Sequence, residues 1–493
     1  MMAADSLHVA VHLIVPSGMS FRLLLPYRRA CSASATSGAA VQRAGVLPEY
    51  GRSAAIGAFA GALAASSAAP PGRRCLERQR GAKAEGKTKG YGTQRGTMPA
   101  LLSMMVGGFA IGTTEYASVG VLPQIADDCG VNLVRAGLVV SGYALGVSFG
   151  SPILAALTGN LSRKALILAV MALFVLANAA AASSASYEVL IVARIVSALP
   201  HGIFFGVGAA IAASLVGADR RASAVAIVFG GLTIAVAAGV PVATVIGQRL
   251  GWPMSYWFVA AIGVVSLLAM AATLPRKIDI APAGSLIEQV KVLGSGRLLI
   301  AFGMNFCAWG GTFVAFAYLP SILADITGFD PNGVAWMLAL YGVSVIVGNF
   351  LGRRVSDKKV VPALALMLGA QAAVLLIFTF TAPSTLGSIL TLGALMFCNV
   401  PGLALYVVQL AQRHRPGNVD IASTINVSAA NAGIALGAVI GGLVADSRLG
   451  LGATPWVGVV MVGIGLLLTV WSGWLDQRET GAGSVLSNAV REH

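Results

Sequence analysis

The chain has 493 residues, of which 57% are hydrophobic and 11% charged, with a mean hydropathy of +0.81. A soluble domain carries about 25% charged residues, so this composition excludes an ordinary soluble enzyme or binding module and describes a membrane protein. The formal net charge of +14 is uneven: residues 1–97 hold 13 Lys and Arg against 4 Asp and Glu and supply +9, leaving +5 for the remainder.

Residues 1–97 are rich in Arg, Ala, Ser and Gly, are broken by Arg28-Arg29, Pro70-Pro71 and Arg73-Arg74, and present no periodic apolar face, so a disordered basic leader is expected. Asp5 sits where a signal peptide would be basic, and no small-residue cleavage site follows an apolar core. The Arg-rich, acid-poor balance faintly matches an organelle transit peptide; the plainer expectation is that Met98 is the natural start and the leader an upstream extension. Gly81-Ala82-Lys83-Ala84-Glu85-Gly86-Lys87-Thr88 spells a phosphate loop, but Cys75-Leu76-Glu77-Arg78-Gln79-Arg80 before it is no buried strand, so nucleotide binding is not expected.

From Leu101 onward, apolar stretches alternate with short polar connectors, each long enough for the roughly 20 residues a crossing needs. Twelve spans are expected, at 101–123, 134–157, 165–185, 187–211, 223–247, 254–274, 298–322, 333–353, 361–381, 385–410, 421–444 and 453–474. Sixteen basic residues of the loops and tail fall on the side of the termini, and only Arg135, Arg249 and Arg448 on the other. By the positive-inside rule both termini are then cytoplasmic. The expected organisation is an N-terminal bundle at 98–274, a cytoplasmic linker at 275–297, a C-terminal bundle at 298–476 and a tail at 477–493.

The two bundles echo each other. Leu122-Pro123-Gln124-Ile125 returns as Leu319-Pro320-Ser321-Ile322, Gly146-Val147-Ser148 as Gly342-Val343-Ser344, Arg163-Lys164 as Lys358-Lys359, and Arg249-Leu250-Gly251 as Arg448-Leu449-Gly450, at offsets of 195–199. An even number of helices per repeat keeps equivalent residues on one side of the membrane, so the repeats are parallel, and substrate sites of such proteins lie between them near the midplane.

Phe109-Ala110-Ile111-Gly112-Thr113-Thr114-Glu115, then Tyr143-Ala144-Leu145-Gly146-Val147, then Pro200-His201-Gly202-Ile203-Phe204-Phe205-Gly206 resemble the major facilitator superfamily, in its drug/proton antiporter branch. The likeness is closest to the bacterial arabinose-induced-efflux-like group, thought to export sugars or drugs, and runs from Met98 to about Asp476. It implies an all-α fold of twelve transmembrane helices in two six-helix bundles, in the bacterial inner membrane, working by alternating access. Gly348, Gly352, Arg353, Asp357 and Lys358 are similar to the cytoplasmic gating motif after the second span of a repeat; the first repeat, Thr158-Gly159-Asn160-Leu161-Ser162-Arg163-Lys164, lacks its aspartate. Gly239 and Pro241 resemble the antiporter motif of the fifth helix, although Ala243-Thr244 stand where a glycine pair is usual.

Glu115 is the acid of the first span. A carboxylate at mid-membrane costs about 2.5–3.5 kcal/mol on insertion scales, so it must face a wet cavity or a partner. A group whose proton affinity depends on that cavity can exchange a proton for substrate. The blander alternative is a protonated acid bonding a neighbouring helix. Arg194 falls at similar depth, so direct pairing with Glu115 is open, and the resemblance implies a relay; it matches the arginine of the fourth-helix motif, where Ala198 replaces a glycine. An arginine cannot shed its charge and must be solvated or paired, which a helix-bracing role also satisfies. His201 follows seven residues later and could protonate, bond substrate, or pack.

Tyr143, His201, Asn305 and Trp309 are the expected substrate-cavity residues; Asn178, Asn349, Gln371, Asn399, Asn426 and Asn431 read as interhelical glue. Gly433, Gly437 and Gly441-Gly442 in the eleventh span allow close helix approach. Cys31, Cys75, Cys129, Cys307 and Cys398 have no metal-ligand spacing, and no nucleophile set or carboxylate pair appears, so neither enzyme activity nor a cofactor is expected. The expected function is secondary transport, proton-coupled efflux of small neutral or weakly basic molecules, drugs or sugars, powered by a proton gradient. Lipid, protons and substrate are the expected partners, with no nucleic acid, and the chain is expected to be a monomer. A facilitator or importer, and a non-transporting receptor or scaffold, are the alternatives.

Overall fold

A computed structural model describes residues 97–491 apart from 159–160, 218–219, 277, 279–285, 357–358 and 382–396. The leader, and the gating residues Asp357 and Lys358, lie outside the described residues. Everything described is helical or connecting turn, and eleven helices are long and apolar enough to cross a membrane. They are Thr97–Gly120, Leu133–Leu154, Arg163–Ala182, Tyr187–Ser214, Ser223–Leu250, Trp252–Thr273, Gly296–Ile326, Pro331–Ser356, Val360–Thr381, Ile421–Ala445 and Leu451–Glu479. These match eleven of the twelve expected spans in order. Of the expected tenth span only the C-terminal part is described, as the helix Val400–His414. The last helix does not stop near Asp476 but runs to Arg491, and the linker contains a short helix, Leu286–Leu293.

Helix starts follow local chemistry. The side chains of Asn132, Ser162 and Ser186 each accept a backbone N–H three residues on, at 3.0, 3.4 and 3.4 Å, satisfying donors that a first turn leaves free. Gly251 and Gly450, equivalent in the two repeats, both turn the chain with positive φ of 91° and 71°, a conformation only glycine adopts cheaply.

The repeat is also visible in packing. Gly231 of the fifth span lies against the Met105 carbonyl of the first, and Gly433 of the eleventh against the Phe306 carbonyl of the seventh; the two pairs are 202 and 201 residues apart. Gly433, Gly437 and Gly441, one turn apart, meet the carbonyls of Phe306, Gly310 and Val314 in succession. Without side chains in the way the two backbones touch along about two turns, which is how helices associate where lipid offers no hydrophobic drive.

Among the described residues, three helices contain a wide π turn: Gly146–Gly150, Ala235–Gly239 and Ile322–Ile326. The first two immediately precede Ser151-Pro152 and Val240-Pro241. A proline lacks its N–H and its ring collides with the carbonyl four residues back, and one wide turn relieves both.

Both π turns of the first half sit at the seam with the second. The Ser148 hydroxyl donates to the Ser428 carbonyl at 2.8 Å, and Ser141 to the Ala435 carbonyl at 3.0 Å. On the other flank Gly342 rests on the backbone of Val236 and Ala237. Asn132 donates to Asp446 at 3.0 Å and Arg249 to Asn332 at 3.3 Å, so the halves are stitched together at the end of the molecule that holds the Asn132 loop. At the opposite end Arg297, Tyr406 and Arg413 converge on Asp476, Tyr406 at 2.9 Å and Arg413 at 3.6 Å, tying the seventh, tenth and twelfth helices.

Candidate functional site

Thr114 and Glu115 are neighbours on the first helix, and consecutive helical residues point about 100° apart. They therefore serve different partners. Arg194, fully buried, donates to the Thr114 hydroxyl at 2.9 Å and to the Thr114 carbonyl at 3.0 Å. The Thr114 hydroxyl donates to the Asn178 side-chain oxygen at 2.7 Å, and Asn178 donates to the Phe174 carbonyl at 2.8 Å. The guanidinium also lies over the rings of Tyr143 at 4.4 Å and Tyr256 at 5.4 Å. The charge is thus met by hydrogen bonds from its two terminal nitrogens and by ring faces, each desolvated cation–π contact adding about 2 kcal/mol, while the buried Nε has no hydrogen-bond partner.

Direct pairing of Glu115 with Arg194, which the sequence left open, is not the contact formed. Glu115 faces His201 instead, whose Nδ1 lies 3.9 Å from its carboxylate, beyond hydrogen-bonding distance. The Tyr143 hydroxyl lies 3.2 Å from the same nitrogen. Phe205 backs the imidazole, with ring centroids 5.3 Å apart, and Phe229 backs Phe205. Burial separates the two charged centres. Arg194 is sealed, whereas the side chains of Glu115 and His201 keep 10% and 8% of their surface.

Tyr116, the next residue, points across to the second half. Its ring lies 6.2 Å from both Phe313 and Phe316 of the seventh helix and 6.5 Å from Phe397 of the tenth. Phe316 stacks on Tyr341 of the eighth at 4.8 Å, and Trp309, half-buried, meets Phe397 edge-on at 5.1 Å. The residue that reaches the second half is thus Tyr116, next along the helix from Glu115. The sequence singled out Trp309 alone of this group. The signal it held was the aromatic spacing Trp309, Phe313, Phe316 on one helical face.

Asn305 is spent inside the second half, donating to the carbonyl and side chain of Asn426 at 2.8 and 3.0 Å. That contact braces the seventh helix against the eleventh. Gln371 is bound by Asn399 at 2.6 Å and itself reaches Thr312 and the Ala308 carbonyl. Gly239 lies against Thr113 and the Phe109 ring, and Pro241 is buried next to it, which keeps the fifth helix close to the first. Gly352 rests on the Cys398 backbone, Gly348 is buried, and Arg353 is half-buried. Among the described residues no cluster of His, Cys, Asp or Glu is arranged to hold a metal.

Residues 104–420 match the family model described as Major Facilitator Superfamily. The chain belongs to the Major Facilitator Superfamily. It is 44% identical over 388 residues to the uncharacterized MFS-type transporter YtbD of Bacillus subtilis, covering 78% of this chain and 98% of that one. It is 31% identical over 372 residues to the chloramphenicol resistance protein of Streptomyces lividans, covering 73% and 92%. Among solved structures the nucleoside transporter NupG shares the fold with a TM-score of 0.62 at 13% identity, covering 76% of this chain and 98% of that one. This superfamily member is thus a multi-pass membrane transporter and not an enzyme.

Proposed function

We propose that this chain exports small organic molecules across the bacterial inner membrane in exchange for protons, by rocking its two halves around Glu115. The observation that carries the reading is the placement of that carboxyl: incompletely buried, free of a direct arginine pair, and one residue from Tyr116, which touches three rings of the opposite half. An acid fixed by arginine would stay ionised throughout a cycle. One facing a titratable imidazole in a space that wets and dries can load and unload. The bonds at the Asn132 end belong, on this reading, to the half-cycle open to the cytoplasm, with both termini on that side.

Relatedness to a chloramphenicol resistance protein supports drug-like cargo, and chloramphenicol is a natural first probe beside arabinose. The test is uptake of ethidium and of labelled chloramphenicol or arabinose into everted vesicles with an imposed pH gradient. Uptake of at least one probe that a protonophore abolishes, and that Glu115→Gln reduces to the level of empty vesicles, is expected. Gradient-driven uptake unchanged in Glu115→Gln removes the coupling residue. Flux that ignores the gradient identifies a facilitator, and no flux of any probe a non-transporting protein.

A further inference from the structure

His201 offers one nitrogen to two partners. Its Nδ1 is 3.2 Å from the Tyr143 hydroxyl and 3.9 Å from the Glu115 carboxylate. A neutral imidazole has one donor and one acceptor nitrogen. While Nδ1 is bare it can accept from Tyr143 and can give nothing to Glu115; once it bears hydrogen it can donate to the carboxylate and must release the Tyr143 proton. The two contacts are therefore alternatives.

We infer that His201 is a positioning residue that sets whether Glu115 holds its proton, by exchanging its Nδ1 between Tyr143 and Glu115. The inference rests on the proton-coupled reading above. In one state Glu115 is protonated and Tyr143 donates to Nδ1. In the other the Glu115 O–H bond breaks, an N–H bond forms at Nδ1, and the ring gives up its other proton from Nε2 to water. The products are one released proton, an ionised Glu115, and a neutral imidazole whose Nδ1–H donates to it. Closing the pair to a normal hydrogen bond takes a movement of about 1 Å.

The surroundings suit this exchange. Facing His201 are Glu115 on the first helix, Tyr143 on the second, and Phe205 on its own. The fifth helix contributes Phe229 behind Phe205, and its charged residues, Arg221 and Arg249, lie at its two ends. Arg194 reaches the group only through the Tyr143 ring it covers and through its field at Glu115. Pro200, directly before His201, has no backbone N–H to give to Val196. Ser151 of the second helix grips this weakened turn, donating to the Leu199 carbonyl at 3.0 Å and accepting from the Gly202 amide at 3.3 Å. The imidazole thus stands at a joint in its helix.

The test uses the full chain in proteoliposomes, with initial rates of ethidium uptake across a constant pH gradient while absolute pH is stepped from about 5.5 to about 8.5, on both sides of neutrality. The single released proton predicts one inflection in the wild-type profile. His201→Asn, which keeps a hydrogen-bonding group near Nδ1 but cannot take up the Glu115 proton, is expected to displace that inflection by about one pH unit and to lower the rate about tenfold. Tyr143→Phe is expected to displace the profile only when His201 is present. A His201→Asn inflection at the wild-type pH overturns the inference, as does a Tyr143→Phe displacement that persists in the His201→Asn background. Should His201→Asn fail to fold, the carboxyl infrared band assigned by Glu115→Gln decides: it is expected to shift in Tyr143→Phe, and an unmoved band overturns the inference. Loss of driven uptake in Glu115→Gln together with a wild-type His201→Asn profile sinks this inference alone. Unchanged uptake in Glu115→Gln sinks the coupling reading beneath it.

Discussion

Arg194 holds Thr114, the residue beside Glu115, by both hydroxyl and carbonyl oxygens, at 2.9 and 3.0 Å. The arginine therefore fixes the rotation of the first helix and so aims Glu115 at His201. Thr114→Val strips a partner from Arg194 and from Asn178 at once. Unsatisfied buried groups cost about 1–3 kcal/mol each, so the detergent-purified variant is expected to unfold at a lower temperature than wild type by several degrees. Arg194→Lys is expected to do the same, because an ammonium lacks the planar fork that reaches both oxygens. Thermal unfolding followed by intrinsic fluorescence is the measurement, and unchanged midpoints would contradict the role given to this pair.

The glycine stripe of the eleventh helix leaves no room for a side chain. A Cβ on Gly437 would overlap the Gly310 carbonyl. Gly437→Leu must separate two backbones, and overpacking of this kind costs about 1–3 kcal/mol or more. Lower yield of monodisperse protein and an earlier thermal midpoint are expected, with Gly463→Leu, where nothing lies within 4 Å, close to wild type.

Asn132 and Asp446 bridge the halves at 3.0 Å. In a background without other cysteines, Asn132→Cys with Asp446→Cys is expected to be joined by a short bis-methanethiosulfonate reagent, stopping ethidium transport until a reductant is added. Full transport by the crosslinked protein would show that this end never opens.

Cys129 lies between the first two spans, at the Asn132 end. Burial, with Asp128 and Glu188 nearby, pushes its thiol up from the ordinary range. A thiol with a raised pKa is mostly protonated at pH 7, and the thiolate is the form that reacts. Maleimide labelling of a variant retaining only Cys129 should therefore be slow at neutral pH and gain about tenfold per pH unit on the alkaline side. Asp128→Asn should speed it at fixed pH. Labelling of intact cells by an impermeant maleimide also reports the side: reaction is expected if the Asn132 end faces outward, and resistance until lysis would reverse the proposed orientation.

Sequence reasoning reached the spans because twenty apolar residues in a row have few other uses, and it reached the eleventh-helix glycines because their four-residue spacing has a direct mechanical meaning. Depth was legible too, since counting from a helix end gives height. Azimuth was not. Arg194 and Glu115 share a level, yet Thr114 takes the guanidinium, and one residue of rotation decides it. The Ser141 and Ser148 bonds to backbone carbonyls were invisible for a similar reason: a carbonyl acceptor leaves no mark in the side-chain pattern. Asn305 has the composition of a cavity residue, but its amide is satisfied by Asn426. Only the relative placement of two helices tells those outcomes apart.

The wide turns at Gly146–Gly150 and Ala235–Gly239 both belong to the first half, and each bears on a different flank of the second. The two flanks are thus not mirror partners but a pliable wall meeting a stiffer one. The third wide turn, Ile322–Ile326, lies at the end of the seventh helix beyond the stretch from Phe306 to Val314 that the eleventh-helix glycines hold. If the halves tilt, bending concentrates at the wide turns, while the glycine-held stretch of the seventh and eleventh helices moves as a strut.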